Sequence, residues 1–309
     1  MTQLITHLRI GTRGSPLALW QAEAVRSALA DAHGWPAQAV AVEVIRTSGD
    51  AIQDRALSTA GGKGLFTKEI EDALLDGRID LAVHSAKDMA TRLPDGLHIA
   101  GYLKRADVRD ALILRQGRGL EDLPPGARVG TASLRREAQL RRLRPDLDIA
   151  LLRGNVQTRL AKVADGVFDA TLLALAGLER LGLAGKASAV LGTEHFLPAV
   201  GQGAVAMECR ADDARTNALL AAIRDVATGQ AVAAERAFLA ELDGSCRTPI
   251  AGLAQVSAGG LAFRGLLLSP DGRSAFEAER HGAPEDAARL GTDAGRQVRA
   301  SAPAGLIGG

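Results

Sequence analysis

Aromatic residues are scarce in this 309-residue chain, because Phe, Trp and Tyr together make up only 3% of it. A nucleic-acid binder stacks bases on aromatic rings and carries a basic field, whereas this chain has 37 basic and 36 acidic residues and a formal charge of +1. That balance argues against a general nucleic-acid or membrane-surface binder. With 47% hydrophobic residues, the chain must build aliphatic cores.

Cysteine and long apolar runs are also rare. No stretch contains 18 uninterrupted apolar residues, so no membrane-spanning helix is expected. The start, MTQLITHLRIGTRGS, lacks the basic-then-apolar layout of an export signal. The two cysteines, Cys209 and Cys246, lie far apart, which disfavours a disulfide framework. These absences predict a cytoplasmic protein with free thiols, and nothing in the sequence demands more than a monomer.

Short apolar stretches alternate with helical patterns through the first half of the chain, which is typical of βαβ units and of the α/β class. A second round begins after the turn DLPPG at 122–126. DGRIDLAVHSAKD (76–88) and DGVFDATLLALAG (165–177) share an Asp-Gly turn, a later Asp and a buried strand, so we expect two similar lobes. After about residue 226, glycine-separated strands between two helices indicate a small third domain.

One basic run stands out against the neutral total. RVGTASLRREAQLRRLR (128–144) holds six arginines and a single acid, Glu137, and Arg153 follows downstream. The run spans a strand-to-helix junction at which Ser133 is a good N-cap residue. Such a concentration of guanidinium groups at a helix start indicates an anionic partner.

A helical wheel assigns different surroundings to these arginines. Arg136 shares a stripe with Leu140, whereas Arg135 lies on another face. We therefore expect Arg136 to point into a cleft, and we expect Arg141 and Arg144 to be solvated.

Two other junctions have the same design. In LRIGTRGSPLALW, Arg13 lies in the turn before Ser15, the expected N-cap residue of a helix that starts with proline. In ALLRGNVQTRL, Arg153 ends a strand and Arg159 lies in the first helical turns. Helix N-termini and arginine forks both suit carboxylates or phosphates. Surface charges or internal ion pairs are the alternative for each arginine, but three junctions of one design favour an anion-binding site.

An acid follows the predicted buried strand IDLAV, in HSAKDM (84–89). Strand exits of this kind bind ligands in open α/β sheets. Asp88 would repel anions, so we interpret it as an acceptor for ligand donors or for developing positive charge. A local pair with Lys87 is the alternative. His84 is more typical of a packed residue than of a metal ligand, because no second His or Cys stands at ligand spacing, and no metal site is predicted.

Two loops contain further candidates. GGKG (61–64) lacks the nucleotide-binding pattern and predicts a flexible segment with Lys63 as a positive group. Cys246 lies in LDGSCRTPIAG before Arg247, whose guanidinium favours a thiolate. No His-centred nucleophile pattern accompanies it, so the alternatives are a thiol that tethers a prosthetic group and a small buried residue. Cys209 is strand-like and expected to be inert.

Together these motifs resemble the porphobilinogen deaminase (hydroxymethylbilane synthase) family. The matching stretches occur in family order and span almost the full length: TRGSPLALWQA, GGKGLFTKE, DLAVHSAKD, VGTASLRREAQL, LRGNVQTRL, LALAGLERLG, LPAVGQGA with ECR, and DGSCRTPIAG. The resemblance implies two lobes like type II periplasmic binding proteins with a central cleft, plus a small α+β third domain. It places domain 1 at 1–103 and 204–221, domain 2 at 109–197 and domain 3 at 226–309.

The resemblance also implies an activity, that of a transferase in tetrapyrrole (haem) biosynthesis. Such enzymes join porphobilinogen head to tail into hydroxymethylbilane with release of ammonia, primed by a dipyrromethane cofactor bound as a thioether to the cysteine that matches Cys246. Each pyrrole ring carries an acetate and a propionate, which the arginines would hold. Asp88 matches the catalytic aspartate, whose carboxylate would accept pyrrole N–H groups and stabilise a cationic azafulvene.

The family's site residues map onto this sequence position by position. The cofactor-binding matches are Cys246, Lys87, Asp88, Thr131, Ser133, Arg135, Arg136, Arg153 and Arg159; the substrate-binding matches are Arg13, Ser15 and Arg180; and Arg105 and Lys63 are further candidates. The chain departs from common family residues at Thr59, Ala90, Val108, Ala132 and Ser245. Only the change at Thr59 bears on the chemistry, because it weakens the case for lysines in that loop. A non-catalytic anion-binding module of the same fold is the alternative function, and the Cys246 loop counts against it.

Overall fold

The computed structural model describes residues 8–51, 67–242, 248–303 and 305–307. These residues form two compact units. The first unit comprises 8–51, 67–106 and 204–229, and the second comprises 107–203, 230–242, 248–303 and 305–307. The finer division into three domains stays a prediction.

The elements are numbered in chain order. The strands are β1 (Leu8–Thr12), β2 (Val40–Val44), β3 (Leu81–Ser85), β4 (Leu97–Tyr102), β5 (Asp110–Leu114), β6 (Arg128–Thr131), β7 (Asp148–Leu151), β8 (Ala170–Ala174), β9 (Ala189–Leu191), β10 (Val205–Arg210), β11 (Ile250–Ser257), β12 (Gly260–Leu268) and β13 (Ala275–Gly282). The helices are α1 (Pro16–His33), α2 (Ser48–Ala51), α3 (Lys68–Leu75), α4 (Leu134–Leu143), α5 (Val156–Ala164), α6 (Leu175–Arg180), α7 (Ala214–Ala221), α8 (Val226–Glu241) and α9 (Ala287–Ser301). Among these described helices, none is both long and apolar enough to cross a membrane.

Each unit contains a five-stranded mixed sheet, and the two sheets have the same strand order. The order is β2-β1-β3-β10-β4 in the first unit and β7-β6-β8-β5-β9 in the second. In each sheet the first three strands are parallel, and the fourth runs antiparallel to both of its neighbours. The common order confirms the prediction of two similar α/β lobes.

The repeated Asp-Gly motif has a structural basis. The helices α3 and α5 each end one residue before the Asp of the motif, which is the C-cap residue. The glycine that follows adopts the left-handed conformation, which only glycine adopts without steric cost. Three residues after the glycine, Asp80 accepts the backbone N–H of Arg9 at 2.8 Å. Asp169 accepts the backbone N–H of Arg128 at the same distance. The later Asp of each motif thus binds the second strand in the order of its own sheet, β1 or β6.

Side-chain alternation along β3 separates two aliphatic cores in the first unit. Leu81 packs with Val25 of α1 on one face of the sheet. Ala82 packs with Ile70 of α3 on the opposite face. Each fully buried Leu, Ile or Val side chain contributes about 1.5–3 kcal/mol to folding.

A third sheet lies within the second unit, where β11, β12 and β13 are consecutive antiparallel strands. The helices α8 and α9 share its core, in which the rings of Phe238 and Phe263 are 5.2 Å apart. A Cβ atom at Gly291 would lie 2.0 Å from the carbonyl oxygen of Ala234, so only glycine allows α9 to approach α8 this closely. This sheet and its helices confirm the expected small α+β element.

Candidate active site

A small pocket of the first unit lies where β1 and β3 end. It is lined by Arg13, Ser15, Leu17, Ala18, Gln21, Thr67, Val83, His84, Ser85 and Asp88. Three of the predicted site residues therefore meet here: a guanidinium, a helix-capping hydroxyl and a carboxylate. Because the pocket offers charges of both signs, it suits a ligand with acidic groups as well as hydrogen-bond donors or a cationic centre.

Local structure fixes the two ends of this pocket. Ser15 is the N-cap residue of α1 and accepts the backbone N–H of Ala18 at 3.3 Å, as the sequence predicts. At the other end β3 runs into a 3-10 turn over Ala86–Asp88, and the N–H of Ala86 donates to the carbonyl of Ala204 at 3.0 Å. This turn leaves Asp88 exposed at the pocket rather than packed in the core.

In the second unit, two arginines of the first turn of α4 converge on one buried carboxylate, that of Asp110. Arg136 donates to Oδ1 of Asp110 from Nη2 at 2.7 Å and from Nε at 3.2 Å. The Nη1 atom of Arg135 lies 2.8 Å from Oδ2 of Asp110, and Gln202 donates to Oδ1 at 3.0 Å. The two arginines are each 5% exposed and Asp110 is fully buried.

The buried group carries one positive charge in excess. Burial alone would raise the pKa of Asp110, but the charges of Arg135 and Arg136 hold that pKa far below its ordinary value, so the carboxyl is ionised. Burial lowers the pKa of Arg135 without neutralising a guanidinium. The Nε atom of Arg135 is buried without a hydrogen-bond partner. The pair is thus the internal ion pair that the sequence left as the alternative for these arginines.

The helical-wheel prediction for this pair was wrong. Arg135 and Arg136 do not lie in different surroundings, because both side chains are buried and both pair with Asp110. The wheel describes only the direction of the Cα–Cβ bond, whereas the long arginine side chain bends from its own face towards a nearby carboxylate.

Arg144 is also not solvated as expected. Its side chain is 20% exposed and pairs with Asp146 at 2.6 Å. It also donates to the carbonyls of Leu120 and Leu123 at 2.7 and 2.8 Å, and so ties the end of α4 to the preceding loop. Arg141 pairs with Glu137 one helical turn away, at 2.9 Å.

These contacts give Arg144→Ala a stability effect. The substitution should lower the free energy of unfolding by about 1–3 kcal/mol, because two backbone carbonyls lose a charged donor. Arg141→Ala is the control and should cost no more than about 0.5 kcal/mol, since it removes only a helical i,i+4 pair. Urea unfolding measures both, and equal losses in the two variants would contradict the role given to Arg144.

The other predicted residues of the second unit lie at strand exits. Ser133 caps α4 by accepting the N–H of Arg136 at 3.4 Å, and its own N–H donates to Thr131 at 3.1 Å. Arg159 donates to the carbonyl of Gly154 at 2.9 Å. Arg153 is half-buried after β7, and Arg180, at the end of α6, donates to the carbonyl of Gly203 at 2.6 Å. In the first unit, Lys87 is exposed, and the backbone N–H of Arg105 donates to the hydroxyl of Thr228 at 3.0 Å.

The cysteines and the glycine loop have different outcomes. Cys209 is fully buried on β10, and burial raises the pKa of its thiol to about 11, as expected of an inert cysteine. Cys246, Lys63, Thr59 and Ser245 lie outside the described residues.

Sequence reasoning missed Asp110, Gln202 and a buried acidic pair, Glu71 and Glu208. Asp110 opens the apolar strand DALIL, and an acid at the start of a buried strand is the one signal that could have marked it. Among the described residues, no group of His, Cys, Asp and Glu side chains is arranged to hold a metal ion.

Comparisons with known proteins cover nearly the whole chain. The family model described as "Porphobilinogen deaminase, dipyromethane cofactor binding domain" matches residues 8–218, and "Porphobilinogen deaminase, C-terminal domain" matches residues 230–300. Two proteins named porphobilinogen deaminase, from Nitrobacter winogradskyi and Nitrobacter hamburgensis, are each 59% identical over 290 residues, or 94% of this chain and 92% of theirs.

Solved structures give a more distant likeness. A putative methionine-binding lipoprotein from Bacillus subtilis has a TM-score of 0.45 and 14% identity, covering 71% of this chain and 90% of that one. The methionine binding protein MetQ has the same TM-score and coverage at 15% identity.

Proposed function

This chain belongs to the porphobilinogen deaminase family, and from that membership we propose which of its residues perform the family's reaction. It is a hydroxymethylbilane synthase, a transferase that joins porphobilinogen head to tail and releases ammonia at each addition, in tetrapyrrole biosynthesis. The observation that carries this function is the 59% identity over 94% of the chain, together with the two family models.

The chain's cationic residues fit a dipyrromethane. Each ring of this group bears two carboxylates, and the excess positive charge of Arg135 and Arg136 over Asp110 suits one of them. We propose that the remaining carboxylates and ring N–H groups are held by the other family matches: Lys87, Asp88, Thr131, Ser133, Arg136, Arg153 and Arg159. When bound through the sulfur of Cys246, the group supplies the anchored end from which the chain of pyrroles grows.

The pocket of the first unit is the proposed place of chemistry. Arg13 and the N-terminus of α1 at Ser15 would bind a carboxylate of porphobilinogen, with Arg180 as a further substrate-binding residue. The carboxylate of Asp88 would accept the pyrrole N–H and stabilise the positive charge that develops as ammonia leaves. A pocket with both charge signs supports this assignment, because the substrate has two acids beside a donor-rich, cationic end.

The cofactor and the partner assignments can be tested on one sample. Purified from cells that make porphobilinogen, the protein should be heavier than its polypeptide by one dipyrromethane, whereas Cys246→Ser should have the bare mass. We also propose that it works as a cytoplasmic monomer without nucleic acid, which its balanced charge supports, and light scattering should give a mass near 32.1 kDa.

The control for this experiment is Cys209→Ser, which should keep the added mass because Cys209 is sealed in the core. Wild-type protein with the bare mass and no conversion of porphobilinogen would contradict the proposed function. Binding of porphobilinogen without conversion would favour the anion-binding module instead.

A further inference from the structure

Two carboxyl groups and an imidazole are buried on one face of the first unit's sheet, and the proposed function does not use them. His84 on β3 is 5% exposed, Glu208 on β10 is fully buried, and Glu71 on α3 is 6% exposed. The Nε2 atom of His84 lies 3.0 Å from Oε2 of Glu208. In the register of β3 and β10, His84 opposes Ala206 and Glu208 opposes Ala82, so both side chains lie on the sheet face that α3 covers.

This cluster contains two carboxyl groups and one imidazole. Among the described residues, no Lys or Arg pairs with Glu71 or Glu208, and His84 is the one base within ion-pair distance of Glu208. Two buried carboxylates beside one imidazole would cost several kcal/mol. Oε1 of Glu71 and Oε1 of Glu208 are both buried without a partner. Protonation converts one such acceptor into a donor, which removes a charge and an unmet hydrogen bond together.

Glu71 is the carboxyl group of this cluster whose pKa is raised. Burial raises its pKa above the ordinary value, and the charge of Glu208 adds to the rise, while Thr67 and His84 oppose it only in part. The exposed carboxylate of Asp72, next on the helix, adds a smaller rise. Glu71 therefore takes up a proton more readily than an ordinary glutamate.

The cluster is in contact with the proposed site of chemistry. His84 and Thr67 line the same pocket as Arg13 and Asp88, so the cluster forms the inner wall of that pocket. The titratable groups that surround His84 are thus Glu71 from α3, Glu208 from β10, and Arg13 and Asp88 across the pocket.

The repeated fold shows that its backbone does not need polar groups at these positions. The strand registers and the Asp-Gly helix ends give the equivalent residues of the second unit: Leu173 for His84, Ile113 for Glu208 and Leu160 for Glu71. All three belong to one hydrophobic cluster. The same architecture packs well with an apolar set, so the polar set of the first unit serves something other than folding.

We propose that Glu71, His84 and Glu208 form a buried acid–base cluster that sets the charge of the pocket wall beside Asp88, with His84 as a positioning residue for the reaction. This inference rests on the proposed function. Glu208 fixes the orientation of the imidazole, and His84 in turn lies at the pocket wall beside the carboxylate of Asp88. Activity falls when the imidazole is removed or is no longer held by Glu208.

The raised pKa of Glu71 has a consequence for stability. Because its folded-state pKa is raised, its contribution is fully present below the ordinary Glu pKa of about 4.3 and is lost as the pH rises through the folded-state value. Glu71→Gln mimics the protonated acid and does not titrate. The midpoint of its urea denaturation should therefore rise relative to wild type as the pH increases above about 4.3, whereas the control Asp72→Asn should show no such rise.

Steady-state kinetics of the cofactor-loaded enzyme over about pH 6–9 test the inference. Glu208→Gln should keep the dipyrromethane mass but change the pH profile of kcat/KM, because it removes the carboxylate that lies 3.0 Å from the imidazole of His84. His84→Gln should lower kcat about tenfold or more and change the same profile. Glu71→Gln and Asp72→Asn should keep the wild-type profile.

The decisive variant exchanges all three residues for the apolar set of the second unit, Glu71→Leu, His84→Leu and Glu208→Ile. It should fold with an unchanged or higher melting temperature and keep the cofactor, yet lose turnover at least about tenfold. Wild-type kcat and an unmoved pH profile in this variant, or in His84→Gln if the triple exchange does not fold, would overturn the proposal. An inactive wild-type enzyme would instead count against the proposed function.

Discussion

Asp88→Asn should keep the dipyrromethane and lower kcat by about 10²–10⁴-fold. Asparagine has the same shape, and the backbone of the 3-10 turn over Ala86–Asp88 is held by hydrogen bonds that do not involve the side chain, so the pocket should persist. The substitution removes the negative charge that we propose stabilises the developing positive charge. Because that charge matters most in the transition state, kcat should fall much more than KM changes.

The measurement is hydroxymethylbilane formation at saturating porphobilinogen, with intact mass on the same sample. Asp95→Asn is a matched control, since Asp95 is an exposed acid of the same unit outside the pocket lining, and it should leave kcat unchanged. Near-normal bilane production by Asp88→Asn would refute the catalytic assignment. Loss of the added mass would show that Asp88 acts in cofactor assembly rather than in turnover.

Asp110→Asn should have the largest effect on stability. The carboxylate of Asp110 is fully buried between Arg135 and Arg136, and its loss leaves two guanidinium groups buried without an anion. Breaking a buried pair in this way costs about 3–5 kcal/mol. The lowered pKa of Asp110 means that this contribution is present above the ordinary Asp pKa of about 3.9 and is lost as the pH falls through the much lower folded-state value.

Urea unfolding at neutral pH measures this loss, and intact mass measures cofactor retention, which should fall because the arginines lose their orientation. Asp107→Asn is the control, because Asp107 pairs at 2.6 Å with an Arg109 side chain that is 45% exposed. Removing that partly exposed pair should cost no more than about 1 kcal/mol. If both variants lost stability equally, Asp110 could not be the residue that holds the arginine pair.

Local signals in the sequence were sufficient for the repeat and for the helix starts. Ser15 and Ser133 cap their helices as predicted, because capping depends on residues within three positions of each other. The Asp-Gly motif is also local, and its repetition predicted two related lobes. Function was predictable because several motifs occur together in family order, not because any single motif is specific.

Contacts between distant segments were not predictable from the sequence. Asp110 contacts Arg136 because β5 pairs with β8 in the sheet that α4 packs on, and no periodicity relates residues that are 26 positions apart. Arg144 was expected to be solvated because the helical wheel contains no information about the loop that folds back over the end of α4. His84 and Glu208 are 124 positions apart and come together only through antiparallel pairing.

Because the strand orders of the two sheets match, residues at equivalent positions in the two units can be compared and exchanged. By register, the position of Asp110 in the second sheet is that of Val205 in the first. The first sheet therefore has valine at the position where the second sheet has Asp110. For an exchange between equivalent positions, one of the two sheets already provides an example of the substituted residue. The two units share one arrangement of strands, yet the first buries a carboxylate beside an imidazole and the second buries a carboxylate between two arginines.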